Sequence, residues 1–154
     1  MEIKASNFFT KEQQEQIRNA IKEAENVTSG EIRIHLETNL TGNALDRAAW
    51  IFRRIGMHAT RDRNGVLFYF AVRDHKFAII GDKGINAVVP EDFWVNIKET
   101  LIEYFSEGKF AEGLISGISM TGTQLRKHFP RSKDDINELP DEISFDDSDL
   151  SKEI

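Results

Sequence analysis

The sequence predicts a small three-layer α/β/α sandwich built on a short mixed sheet with parallel strands and a hairpin. Three observations predict it. Apolar residues recur at helical spacing in four separate stretches, and three short strand-like runs lie among them. The run 66–72 is apolar at every position, as a strand buried on both faces must be. The first and second strands are joined through a helix, which makes them parallel by a right-handed crossover, whereas the second and third are joined by a tight turn.

Each element follows from local chemistry. Thr10 and Gln13 have capping-box spacing, and Ile17, Ala20, Ile21, Ala24 and Val27 then form one apolar stripe. A helix over 11–27 follows, stopped by Thr28-Ser29-Gly30, with Phe8 and Phe9 laid against the core ahead of it. Ile32, Ile34 and Leu36 alternate with Arg33, His35 and Glu37, a strand over 31–37 with one buried and one less buried face. After a turn at 39–43, Leu45, Ala48, Ala49, Phe52 and Ile55 make a second helix, closed by Gly56. A central strand spans 65–72, and Asp74-His75 turns it into an antiparallel partner over 76–80. Pro90-Glu91-Asp92 opens a helix whose stripe is Phe93, Trp94, Ile97, Leu101 and Phe105. Gly108 separates it from a last helical region carrying Phe110, Leu114, Ile115, Ile118 and Leu125. Gly113, Gly117 and Gly122 there imply either tight packing or a break.

Charge divides the chain in two. The net charge of -6 over 154 residues comes from 26 acidic and 20 basic side chains. Residues 1–130 carry 17 of each, so the remaining nine acids and three bases lie in 131–154. The sequence therefore reads as one domain over 1–130 followed by an acidic, disordered tail with Phe145 as its only aromatic. That tail is a solvated segment, a weak cation sink or a partner peptide. A neutral domain offers no positive patch for a nucleic-acid backbone. Without cysteine there is no disulfide, thiolate zinc site or thiol catalysis. The first residues lack an apolar signal segment, and 66–72 is far too short to cross a bilayer, which points to a cytoplasmic protein without a membrane span.

Candidate chemistry is topological. Parallel first and second strands begin at the same sheet edge, and the hairpin returns Gly81-Asp82 to it. The second helix delivers Arg61, Asp62 and Arg63 there. Glu31, Asp62, Asn64 and Asp82 are therefore expected to converge, and three carboxylates with an amide oxygen are hard ligands for calcium or magnesium. Arg61 or Arg63 can neutralise the cluster instead. The blander alternatives are a surface ion pair at Glu31, a turn at Gly81-Asp82-Lys83-Gly84 and a tight turn at Asn64-Gly65. No dinucleotide, Walker, EF-hand or nucleophile-elbow motif is present. His35, His58, His75 and His128 lack ligand spacing and read as surface or packing residues.

Several spaced motifs share an order with a known family. Phe9-Thr10 with Gln13, Ala24-Glu25, Thr28-Ser29-Gly30-Glu31-Ile32, Gly56-Met57, Thr60, and Arg63-Asn64-Gly65-Val66-Leu67 come first. The stretch 77–85 from Phe77 to Ile85, then Trp94, Phe105, Gly108, Phe110, Gly113-Leu114 and Gly117-Ile118 complete the pattern. Over about 8–130 the chain resembles the TPM-domain family, found in thylakoid-lumen proteins of photosystem repair and in many membrane-anchored bacterial proteins. The resemblance implies a Rossmann-like α/β/α sandwich that binds calcium or magnesium in an acidic cavity, and a plant member is associated with acid phosphatase activity. It places Glu31 and Asp82 at matching acidic positions, with Asp62 beside the Arg-Asn-Gly stretch. The family's usual signal peptide, membrane anchor and Gly-rich tail are not seen in this sequence.

Three functions follow as expectations. The first is a divalent-cation-binding module of regulatory or scaffolding role with Glu31, Asp62, Asn64 and Asp82 as ligands. The second is a weak metal-dependent phosphatase acting on a phosphorylated small molecule, with Arg61 or Arg63 holding the phosphate. The third is a protein-interaction module without a metal, marked by an exposed apolar patch around Trp94 or Phe110.

Overall fold

The computed structural model describes residues 2–132 and 143–149. Helices α1 (Ala5–Phe8) and α2 (Lys11–Glu25) lead into β1 (Glu31–Glu37), followed by α3 (Ala44–Arg54), β2 (Gly65–Ala71) and β3 (Lys76–Gly81). Then come α4 (Lys83–Asn86), α5 (Phe93–Ser106), α6 (Phe110–His128) and β4 (Ile143–Asp146). The sheet runs β3-β2-β1-β4, with β1 parallel to β2 and β4, and β3 antiparallel to β2.

Local rules account for most boundaries. Thr10 accepts from the Gln13 amide at 3.0 Å, and the Gln13 side chain accepts from Thr10 N at 3.0 Å, so the capping box starts α2. The helix stops at Glu25, two residues short of the expected end, because Thr28 leaves it to bridge Pro130. Asn43 caps α3 by accepting from Leu45 N and Asp46 N.

β2 divides two cores. Val66, Phe68 and Phe70 face the layer of α1, α2, α5 and α6, while Leu67, Tyr69 and Ala71 face α3. Every residue of β2 is buried, and fully burying Phe68 and Phe70 contributes about 2–3 kcal/mol each. β1 alternates as expected, with Ile32, Ile34 and Leu36 in the larger core. Its other face is not less buried, however: Arg33, His35 and Glu37 are all covered.

The α6 glycines pack tightly and the helix is unbroken. A β-carbon on Gly117 would lie 2.8 Å from Leu101 and 2.9 Å from Phe68, and one on Gly122 2.8 Å from Ala24 Cβ. These glycines let α6 approach β2, α5 and α2 closely.

The C-terminal part departs from expectation. Residues 143–146 are not a free tail: they form β4, in register with Ile34–Glu37, and Ile143 and Phe145 join the larger core. Acids that read as solvated have specific partners. Asp147 accepts from Ser6 N at 2.8 Å and Ser6 Oγ at 2.6 Å, and Asp149 pairs with Arg73 at 2.7 Å. The rest of the expected tail, 133–142 and 150–154, lies outside the described residues.

Candidate functional site

In open α/β sheets ligands usually bind beyond the carboxyl ends of the parallel strands. Here that end is filled by the chain itself. Ala5 N donates to Thr38 Oγ1 at 3.0 Å, and Thr38 N donates to Asp146 O at 3.1 Å. Arg73 reaches Ile3 O, Glu2 and Asp149. The motif residues gather instead at the amino ends of β1 and β2.

Thr28 and Ser29 tie that edge to the end of α6. Ser29 N donates to Phe129 O at 2.9 Å, and Thr28 Oγ1 donates to Leu125 O and Phe129 O. Asn64, immediately before β2, is buried. Its backbone N donates to Thr60 Oγ1 at 3.3 Å and its Nδ2 to Ser29 Oγ at 3.2 Å. Its Oδ1 is buried and has no hydrogen-bond partner among the described residues. A buried orphan acceptor costs roughly 1–3 kcal/mol, and a water or ion is the usual answer to one.

Arg63 and Asp82 form the latch of this edge. Arg63 takes a left-handed backbone (φ 49°) and its guanidinium grips Asp82 twice, Nε to Oδ2 at 2.7 Å and Nη2 to Oδ1 at 2.9 Å. Asp82 also caps α4 by accepting from Lys83 N at 2.8 Å. The hydrogen bond to Asp82 raises the Arg63 pKa above its ordinary value. Gly84 N donates to Arg63 O at 2.8 Å, so the Arg-Asn-Gly and Gly-Asp-Lys-Gly motifs interlock.

The four expected ligands therefore share an edge without sharing one point. Glu31 is buried opposite Gly65, and Asp82 N bonds Gly65 O from the far side. Two strand spacings, about 10 Å, separate Glu31 from Asp82. The Met57 methyl, 3.2 Å from where a Gly65 β-carbon would be, and Phe52 at 3.8 Å cover the gap. The Asp62 carboxylate turns outward to Arg61 at 3.2 Å. Among the described residues no three His, Asp or Glu side chains form a metal-holding group. Asn64 Oδ1 suits a hard cation by chemistry and by lacking a partner among the described residues. Asp82 suits one only in exchange for Arg63.

Sequence reasoning missed a second polar group on the α3 face. Glu37 accepts from Arg47 Nε at 2.9 Å, Arg47 Nη2 at 2.5 Å and the Tyr69 hydroxyl at 2.5 Å. His35 Nε2 stands 3.5 Å from Glu37, and His35 Nδ1 meets Ser144 Oγ at 2.7 Å. Burial pushes the Glu37 carboxyl up, but contacts from His35, Arg47 and Tyr69 outweigh it and hold the pKa at about 2. Burial first, then the bond to Glu37, drives the Tyr69 hydroxyl far above its ordinary value. With its lone pairs taken, Glu37 is a poor base, and the group fastens α3 and β4 to β1. The available signal was a tyrosine inside the most apolar strand, level with a charged strand face.

Comparison with known proteins gives consistent results. The model of the TPM domain matches residues 3–124. The solution structure of the BA42 protein from the psychrophilic bacterium Bizionia argentinensis is 47% identical, covers 90% of this chain and 95% of that one, and superposes with a TM-score of 0.83. The N-terminal domain of a P. gingivalis protein is 17% identical, covering 82% of this chain and 83% of that one, with a TM-score of 0.65. The N-terminal domain of the cg2496 protein of Corynebacterium glutamicum is 11% identical, covering 76% and 74%, with a TM-score of 0.61. These last two share the fold. No curated protein matches. No helix among the described residues is long and apolar enough to cross a membrane.

Proposed function

The chain belongs to the TPM domain family, and on that premise we propose that it is a divalent-cation-binding module whose site is the amino edge of β1 and β2. The buried Asn64 Oδ1, without a partner among the described residues, is the observation that carries this reading. Calcium or magnesium takes such oxygens readily and completes its shell with water. Asn64 and Glu31 would hold the ion, and Asp82 would join them only by releasing Arg63. Asp62, turned outward, would be an outer neighbour. The role is regulatory or scaffolding, because binding would alter the latch between the Arg63 and Asp82 loops.

Calcium and magnesium titrations followed by amide and Asn side-chain NMR shifts test the reading. The Asn64 side-chain amide and backbone signals of 30–31, 64–65 and 81–84 are expected to move together, and Asn64→Leu to abolish the response. Shifts confined to 134–149 would overturn it.

Phosphomonoester hydrolysis is the second reading, favoured by the exposed Arg61 guanidinium at the same edge. A bound cation would supply charge stabilisation, and Arg61 would hold the phosphate. Activity toward a phosphomonoester that survives unchanged in Asn64→Leu and Arg61→Ala would count against it.

A further inference from the structure

β3 is the outermost strand on the side of the sheet away from β4. Its register fixes which main-chain groups are used. Asp82 N bonds Gly65 O, so the groups of Lys76, Ala78 and Ile80 face β2 while those of Phe77, Ile79 and Gly81 face outward. Asn86 Nδ2 takes Gly81 O at 2.8 Å. The outward N–H and C=O groups of Phe77 and Ile79 have no partner among the described residues. The strand also lacks the usual protection of an edge, since no charge, proline or bulge interrupts 77–80.

This bare edge is the floor of a groove of about 300 Å³. Ala44 and Leu45 wall it from α3, and Trp94 and Lys98 from α5. Leu45 is 55% exposed, an apolar side chain on the rim that no described residue covers. Trp94 is fixed in place by Nε1 donating to Asn86 Oδ1 at 2.8 Å. Lys98 carries the only charge among the described lining residues.

We propose that β3 is a docking edge for an extended peptide segment of a partner protein, with small apolar side chains at alternate positions and an acidic residue facing Lys98. The main-chain groups of Phe77 and Ile79 supply the hydrogen bonds of strand addition, and the two helical walls select alternate side chains. The walls rise on both faces of the strand, so the groove takes one strand. A second copy would bring its own Leu45 and Trp94 against these. The inference does not depend on cation binding, and its test runs in chelator throughout.

The probe is the synthetic peptide acetyl-Asp-Val-Thr-Val-Thr-Val-amide, titrated to millimolar concentration into the full chain. Amide exchange at Phe77 and Ile79 is expected to slow roughly tenfold when free peptide is about ten times Kd, with Ala78 and Ile80 unchanged. Ile79→Pro removes one outward N–H without touching the ladder to β2 and is expected to abolish binding. Lys98→Glu, at an exposed position that leaves the fold intact, is expected to weaken it several-fold. No alternating protection at 77 and 79, or unchanged binding by Lys98→Glu, would overturn the proposal. So would sedimentation showing self-association that Leu45→Asp abolishes, which would assign the edge to a second copy.

Discussion

A β-carbon on Gly84 would lie 2.0 Å from the carbonyl oxygen of Asp62 and 2.6 Å from that of Arg63. The obstruction is backbone, which cannot swing aside as a side chain can. The loop before β2 and the loop after β3 are in direct contact only because position 84 has no side chain.

Gly84→Ala is expected to destabilise the fold by about 2–3 kcal/mol, the upper range for forcing a methyl into a packed site. Urea midpoints at constant m-value measure it. Gly42→Ala is not an equivalent control, because its left-handed φ of 85° adds strain of its own.

Arg63→Ala separates latch from ligand. In chelator the variant is expected to melt below wild type, since Asp82 loses a two-pronged partner. On the cation reading the freed carboxylate gains affinity for calcium, so added calcium recovers more of the melting temperature in the variant than in wild type. Calorimetric titration checks the direction. Equal or weaker calcium binding by the variant would remove Asp82 from the site.

Glu37 predicts an acid dependence. Its folded pKa of about 2 lies below the ordinary 4.5, so the ionised form stabilises the fold. That contribution is fully present above about pH 4.5 and is lost as pH falls from there toward 2. It amounts to about 3 kcal/mol on an order-of-magnitude basis. Glu37→Gln is expected to flatten the stability profile across that window, read from denaturant midpoints at successive pH values.

Phe145→Ala tests whether β4 is held by packing. The ring is partly buried against the larger core, so a loss of about 1–2 kcal/mol is expected, below that of a fully buried phenylalanine. Thr38 N, which donates to Asp146 O, is the reporter: its exchange is expected to quicken while the β1–β2 amides hold.

Legibility followed the kind of signal each element carries. β2 was readable because an unbroken apolar run has few alternatives, and α2 because Thr10 and Gln13 announce its start. β4 was not, because Ile143 and Phe145 are two apolar residues among acids, and the partners of those acids, Ser6 and Arg73, are remote in sequence. The shared edge of Glu31, Asn64 and Asp82 was readable from strand direction alone. Where each side chain ends up was not. That depends on the left-handed turn at Arg63, which aims its guanidinium at Asp82, and on Met57 settling over Gly65.

The position of β4 beside β1 has a consequence for synthesis. His35 and Ser144 touch although they are 109 residues apart. A chain growing from its amino end can pair β1, β2 and β3 while the other border of β1 waits for a segment not yet made. For that interval the unfinished sheet has two open borders, at β3 and at β1. Aggregation risk therefore falls on interrupted or clipped chains, and quality control of this protein would act most strongly on molecules that have lost residues after 142.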